Sequence, residues 1–258
     1  MNELKTLGAY GTKGDHNETS SFLITEHHVI DAGNLVRSLK EGAAIVHTIW
    51  LTHSHLDHIV DIAYVLDSYY IEREEPLKIM GLKETITALK EHFLNDDIWP
   101  DFTKINLFES ELPCIIYEEI NFDTEYRIDR DTTITPFKTD HTVASCGYIV
   151  KKHDNALLMT ADTYSLDRMK EILHVRDDIK TLVIECSFPS SMESLAIDSK
   201  HLTPALIYEQ VAEIDPQQYK LYINHIKPKF ESIIIKELKE IFHKWDICVL
   251  KDGDIIEF

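Results

Sequence analysis

Short apolar runs broken by polar residues recur along the chain, and their changing period predicts strands interleaved with helices. Ser21 to Thr25 and Val29 to Asp31 read as strands flanking a turn at Glu26-His27-His28, and the apolar stretch Ala43 to Leu51 reads as a buried strand. The period then changes. Ile59, Ile62, Ala63, Leu66 and Tyr70 recur at spacings of three and four, the stripe of a helix with one buried face, and predict a helix over Ile59 to Arg73. A second helix is expected over Lys83 to Leu94 and a strand-rich middle over Ile105 to Val150. Strands around Ala156, Leu182, Tyr219 and Ile247 then alternate with helices near Leu166, Pro204 and Ile233. Thr203 can cap and Pro204 can open the helix that runs through Gln210. This mixture excludes an all-α bundle and predicts an α/β (α+β) fold with helices packed outside two sheets. No linker rich in Pro, Gly or Ser divides residues 1–258, which read as one domain.

The densest chemistry lies where the apolar stretch meets the first long helix. Thr52-His53-Ser54-His55-Leu56-Asp57-His58 carries three imidazoles and a carboxylate, the donors that borderline metals favour. Alternation along an extended segment puts His53 and His55 on one side, so one ion can take both. Asp57 and His58, at the helix start, can turn toward a neighbouring ion. Three more donors each follow a strand-like run: His141 after Thr132 to Phe137, Asp162 after Ala156 to Met159, and His225 after Leu221 to Ile223. A lone histidine near a strand end is usually structural, but the joint order of these residues is hard to reach by coincidence.

His-x-His-x-Asp-His after a strand, followed by a lone histidine, a lone acid and a final histidine, resembles the metallo-β-lactamase superfamily. That resemblance implies a four-layer αββα sandwich, built from a duplicated half, with two metals at one edge. It also implies His53, His55 and His141 on one metal, Asp57, His58 and His225 on the other, and Asp162 bridging them. Further segments resemble the class II cyclic nucleotide phosphodiesterases: Ile98-Trp99-Pro100-Asp101-Phe102, Ile184-Glu185-Cys186-Ser187-Phe188-Pro189, Lys200-His201-Leu202-Thr203-Pro204 and Asn224-His225-Ile226-Lys227-Pro228. Val60 and Asp61 depart from the small residue and glycine that this branch often carries there.

The branch implies hydrolysis of 3′,5′-cyclic nucleotides (cAMP or cGMP) to nucleoside 5′-monophosphates, with a metal-bridging hydroxide attacking phosphorus. The residues expected to carry the chemistry are Asp57, Asp162 and His201. Related nucleases and phosphodiesterases use a histidine placed like His201, at a helix entrance, to contact phosphate or protonate the leaving oxygen. Two divalent ions are the implied cofactors, zinc first because the donor set is histidine-rich and sulfur-free, with manganese or iron compatible. A homodimer follows from the same resemblance.

Charge separates the candidate substrates. The chain has 26 basic and 45 acidic residues, a formal net charge of −19, and no basic tract. Grip on long RNA or DNA draws on clustered Lys and Arg, so long nucleic acid is disfavoured. A small phosphodiester is not, because two divalent cations in a cleft dominate the local field. The alternative is another hydrolase of the superfamily. A tRNA 3′-end endonuclease needs a basic docking surface, a two-zinc lactamase would carry cysteine where Asp162 stands, and a thioester hydrolase stays open. A flavo-diiron oxidoreductase would carry glutamate in place of His55, and a silent scaffold would have lost a ligand.

Met1 to Leu7 has neither the basic start nor the apolar run of a secretory signal, and no apolar segment reaches the ~20 residues of a membrane span. A cytoplasmic protein without a membrane partner is expected. Cys114, Cys146, Cys186 and Cys248 are far apart and read as reduced core residues. Glu185 is a candidate to hold a ligand histidine from behind, and Asp140 to do the same for a neighbour of His141, or either is equally a structural cap. Lys227 can reach phosphate or stay solvated, and Trp99 and Phe102 can stack on a purine or simply pack.

Overall fold

A computed structural model describes residues 2–258. The first half runs β1 (Glu3–Gly8), β2 (Ser21–Thr25), β3 (His28–Ile30), α1 (Val36–Leu39), β4 (Thr48–Trp50), α2 (Leu56–Tyr69), β5 (Leu77–Gly81), α3 (Lys83–His92) and β6 (Ile115–Glu119). The second runs β7 (Tyr126–Arg127), β8 (Thr132–Lys138), β9 (Cys146–Lys152), β10 (Asn155–Met159), α4 (Asp167–Leu173), β11 (Ile179–Glu185), α5 (Glu193–Asp198), α6 (Pro204–Gln210), β12 (Lys220–Asn224), α7 (Glu231–Ile241), β13 (Asp246–Val249) and β14 (Ile255–Glu257).

Two 7-stranded sheets result, ordered β14-β1-β2-β3-β4-β5-β6 and β13-β12-β11-β10-β9-β8-β7. In the first, antiparallel pairing from β14 to β3 gives way to parallel pairing from β3 to β6. In the second, antiparallel pairing from β7 to β10 gives way to parallel pairing from β10 to β13. The duplicated half is therefore present in the topology, although no sequence repeat records it. β14 returns from the end of the chain to pair with β1, which ties the halves together.

Strand alternation explains the layers, because successive side chains serve opposite faces. Ile30, Trp50, Tyr148, Val150, Leu157, Val183 and Tyr222 meet between the sheets. Their neighbours point outward: Val29, Ile49 and Leu51 pack with Ile59, Ile62 and Leu66 of α2. Leu182, Ile184, Leu221 and Ile223 pack with Ile207 of α6 and Ile234 and Leu238 of α7. Strands buried on both faces need helices outside, and the outcome is a four-layer αββα sandwich.

Several sequence expectations are corrected. Ala43 to Leu51 is not one strand, since Lys40–Ile45 forms a 3₁₀ helix and β4 covers only Thr48–Trp50. A short apolar run has no period that separates a strand from a helical turn, and Ala43 is buried in the cluster that includes α2. The helix α2 begins at Leu56, with Asp57 and His58 in its first turn as expected, and ends at Tyr69, not Arg73. Within the strand-rich middle, β6 begins only at Ile115. The strands β1, β5 and β14 had no distinct signal. Cys114, Cys146 and Cys186 are buried and free as expected, but Cys248 is exposed on the terminal strand β13 of its sheet. No helix among the described residues is long and apolar enough to cross a membrane.

Candidate metal centre

The loops after β4, β8, β10 and β12, with the first turn of α2, meet at one edge of the sandwich. His53, His55, His141 and Asp162 each offer a donor atom within 4.8 Å of the others, and Asp57, His58 and His225 form a second such group. A third joins Asp162, His201 and His225. Asp162 sits centrally: its Oδ2 lies 3.7 Å from His53 Nε2, 3.6 Å from His58 Nε2 and 3.8 Å from His141 Nε2. Its Oδ1 lies 3.2 Å from His225 Nε2. His55, extended at φ −66 and ψ 148, is the N-cap of α2, so Asp57 and His58 occupy the first helical turn and project into the cluster. Their place in the first helical turn is what brings these two side chains to the cluster.

Partners behind the imidazoles decide which nitrogen faces inward. Asp31 Oδ2 accepts from His58 Nδ1 at 2.7 Å, and the Lys200 carbonyl accepts from His141 Nδ1 at 3.1 Å. Carboxylates and carbonyls only accept, so both rings carry a proton on Nδ1 and turn Nε2 to the cluster. Thr52 Oγ1 donates to Asp31 at 2.8 Å, which leaves its lone pair for His53 Nδ1 at 3.0 Å. Ser187 Oγ meets His225 Nδ1 at 3.0 Å. His55 is reversed and directs Nδ1 inward, 3.2 Å from His141 Nε2.

Asp31, Thr52 and Ser187 are supports to which sequence reasoning gave no role: Thr52 and Ser187 lie in the quoted segments and Asp31 ends a strand-like run, but nothing local shows which imidazole each would meet. Asp140 does not bond His141 directly; it pairs with the Lys200 side chain, whose carbonyl holds that ring. Glu185 accepts from His201 Nδ1 at 2.7 Å and from the amides of Thr163 and Leu202. It therefore fixes His201 rather than any of the seven expected ligands.

Whether a cation fits can be tested on the polar atoms themselves. His53 Nε2 and Asp162 Oδ1 are buried without a hydrogen-bond partner, and such orphans are costly in a folded core. His58 Nε2 also meets His225 Nε2 at 3.2 Å, as His141 Nε2 meets His55 Nδ1, close pairs of inward nitrogens that a proton or a cation can bridge. A shared cation would satisfy the orphaned atoms and these pairs together. Burial holds His53 well below the usual histidine range, and holds His55 and His141 below it too, which keeps the rings neutral and able to donate. Burial pushes the Asp162 carboxyl up, but His225, His58 and His53 together hold it well below the usual range. Burial lowers His58 as well, yet Asp162, Asp31 and Asp57 outweigh it and raise that ring well above the usual value. The local excess of carboxylate thus calls for positive charge, which a proton on His58 or a metal ion can supply.

His55, Asp57, Asp162, His201 and His225 of this cluster line a cleft of about 500 Å³, in the range of small-molecule sites. Leu56 and Val60 of α2 line one part, and Gly11, Lys13 and Lys227 another. A Cβ on Gly11 would lie 2.6 Å from His225 Nδ1, so only glycine lets the loop pass this ring. Asp31, Ala161, Lys200 and His225 all have positive φ, a conformation that non-glycine residues adopt at a cost of about 1 to 3 kcal/mol each. Trp99 and Phe102 do not line the cleft. Phe102 is buried and Trp99 packs edge-on against Tyr64 at 5.9 Å, so they are packing residues. Asp61, the departure noted in the sequence, accepts from the amides of Leu35 and Val36 at 2.6 and 2.9 Å and ties the start of α1 to α2.

Fold and site together define a metallo-β-lactamase-type αββα sandwich. The crystal structure of the metallo-β-lactamase fold protein YhfI from Bacillus subtilis superposes with a TM-score of 0.75 at 20% identity, over 99% of both chains. That of unliganded yeast PDE1 gives a TM-score of 0.80 at 18% identity, again over 99% of both. In sequence, 3′,5′-cyclic-nucleotide phosphodiesterase 1 of Saccharomyces cerevisiae is 26% identical in an alignment of 208 residues that covers 72% of this chain and 55% of that enzyme. The chain belongs to the class-II cAMP phosphodiesterases, whose family profile matches residues 12–244.

Proposed function

We propose that the chain is a two-metal phosphodiesterase that hydrolyses 3′,5′-cyclic nucleotides to nucleoside 5′-monophosphates. The observation that carries this reading is the set of converging, partly orphaned donor atoms at the floor of a cleft, in a chain of this family. His53, His55 and His141 would hold one divalent ion and Asp57, His58 and His225 the other, with Asp162 shared, and zinc suits the sulfur-free donor set. Bound there, the pair of ions would activate water and neutralise charge on the phosphoryl oxygens.

The chain's own residues do the rest. Asp162, reached by four imidazoles, keeps the two halves of the site together. His201 lines the cleft with its Nδ1 fixed by Glu185. Burial lowers the proton affinity of that ring, but Glu185, with Asp162, more than offsets it and favours the protonated form. His201 then gives a proton to the departing 3′ oxygen as the P–O3′ bond breaks and water oxygen joins phosphorus, and the proton that this water sheds passes to solvent, from which the ring is reprotonated. Asp57 and Asp162 stay ionised, held below their ordinary range by the surrounding histidines despite burial.

The test is a substrate panel on metal-loaded protein: cAMP, cGMP, a 2′,3′-cyclic nucleotide, a tRNA precursor, a glutathione thioester and a lactam. Turnover of cAMP or cGMP to the 5′-monophosphate is expected. Turnover confined to the last three overturns the reading. His201→Ala is expected to retain its metals and lose about 10²- to 10⁴-fold in rate, the usual span for a general acid; a variant as fast as the parent would remove the residue from the mechanism.

A further inference from the structure

Two cations line the cleft, Lys13 and Lys227, and their surroundings differ. Lys13 is largely exposed and reaches Glu18 at 3.4 Å. Lys227 is half-buried, just past His225, and pairs with no carboxylate among the described residues, in a chain with 45 acidic and only 26 basic residues. Its ammonium sits 5.3 Å from the centre of the Phe188 ring, which in turn packs against His201 at 5.9 Å. Among the described residues the ammonium makes one hydrogen bond, to the Gly11 carbonyl, and it is long at 3.4 Å. An ammonium has three N–H donors, so Lys227, which lines the cleft, keeps donors for a ligand there.

Partial burial of a lysine without a counter-charge is unfavourable unless an anion completes the site. The neighbouring floor already presents the residues expected to hold the reacting phosphoryl group. We propose that Lys227 is the phosphate-recognising cation of this cleft, donating to a non-bridging oxygen of the substrate phosphodiester and to the phosphate of the product. The assignment rests on the phosphodiesterase reading for the identity of the substrate, but its chemistry needs only a phosphate. A compact charge on a flexible stem can follow the oxygen as a cyclic diester opens to a monoester. The product carries more negative charge than the diester, so the same contact makes the protein subject to inhibition by its product and by inorganic phosphate.

The experiment compares metal-loaded parent, Lys227→Met and Lys227→Arg. Calorimetry reads inorganic phosphate binding, steady-state kinetics read inhibition by 5′-AMP and by uncharged adenosine, and metal content is measured on each sample. Lys227→Met is expected to weaken phosphate and 5′-AMP binding by about tenfold to a hundredfold, the scale of one charge-assisted hydrogen bond. Adenosine inhibition and metal content stay at the parental level, KM rises more than kcat falls, and Lys227→Arg recovers most of the loss. Equal phosphate affinity in parent and Lys227→Met overturns the proposal. So does a matching loss for adenosine, or a loss of metal, either of which would make the lysine a support of the His225 turn. A parent that binds phosphate through Lys227 but turns over no cyclic nucleotide would sink the functional reading and leave this assignment standing.

Discussion

Asp31→Asn removes one charge and almost no volume, and the hydrogen bonds around it dictate the consequence. Asp31 is buried, with Oδ1 accepting from the Thr52 amide at 2.8 Å and Oδ2 accepting from Thr52 Oγ1 at 2.8 Å and His58 Nδ1 at 2.7 Å. An asparagine offers one acceptor and one donor where two acceptors are required. If its oxygen faces His58, its NH₂ meets the Thr52 N–H, and a buried donor is left unpaired at a cost of about 1 to 3 kcal/mol. If its oxygen instead faces Thr52, its NH₂ meets His58 Nδ1, which must then be a bare acceptor. The ring proton moves to Nε2 and points at the position a metal would take.

Either arrangement weakens metal binding, and loss of a carboxylate behind a ligand histidine typically lowers affinity about 10- to 100-fold, or about 1.4 to 2.8 kcal/mol. Competition with a chromophoric chelator on stripped protein measures it. The expected result is weaker binding of one ion, the one on the His58 side, with the other little changed. A variant that binds both ions as tightly as the parent while melting at lower temperature would show that Asp31 only braces the β3–β4 edge, and the tautomer argument would fail.

Asp162→Ala is expected to lose at least one metal and nearly all turnover, as measured by elemental analysis and cyclic nucleotide hydrolysis; full metal content would deny it a shared position. Asp61→Ala leaves two amides without their acceptor and should destabilise the fold by about 1 to 3 kcal/mol in urea titrations, without changing metal content; an unchanged midpoint would refute its role as a tie. His28 is held at a pKa of about 4 by burial, with His27 and His47 adding to it, against an ordinary value of 6.5. The unfolded chain therefore binds this proton first, so the contribution of His28 is complete above about pH 6.5 and is lost as pH falls toward about 4. At face value the shift is worth about 3 kcal/mol, reduced to roughly 1 by partial solvent exposure. His28→Gln should flatten the fall in stability between those pH values, and an identical slope in parent and variant would refute the assignment.

Much of the architecture was legible because strands and helices impose their periods on the sequence. The stripe Ile59, Ile62, Ala63 and Leu66 is the buried face of α2, and Thr203-Pro204 does open α6, with Thr203 accepting from the Leu206 amide. The donors were legible for a different reason: imidazole and carboxylate in His-x-His-x-Asp-His are a chemical statement that needs no tertiary context. What the sequence alone did not contain was pairing across distance. The internal symmetry of the two sheets, the return of β14 to β1, and the placement of Asp31, Thr52 and Ser187 behind the imidazoles depend on contacts between residues far apart in the chain, which no local period encodes. The 3₁₀ turn at Lys40–Ile45 was misread for the converse reason, since its apolar residues satisfy a strand and a helical turn equally until the packing under α2 chooses. Composition and spacing determined which side chains could hold a cation; only folding decided which nitrogen of each ring faces inward, because that depends on the acceptor behind it.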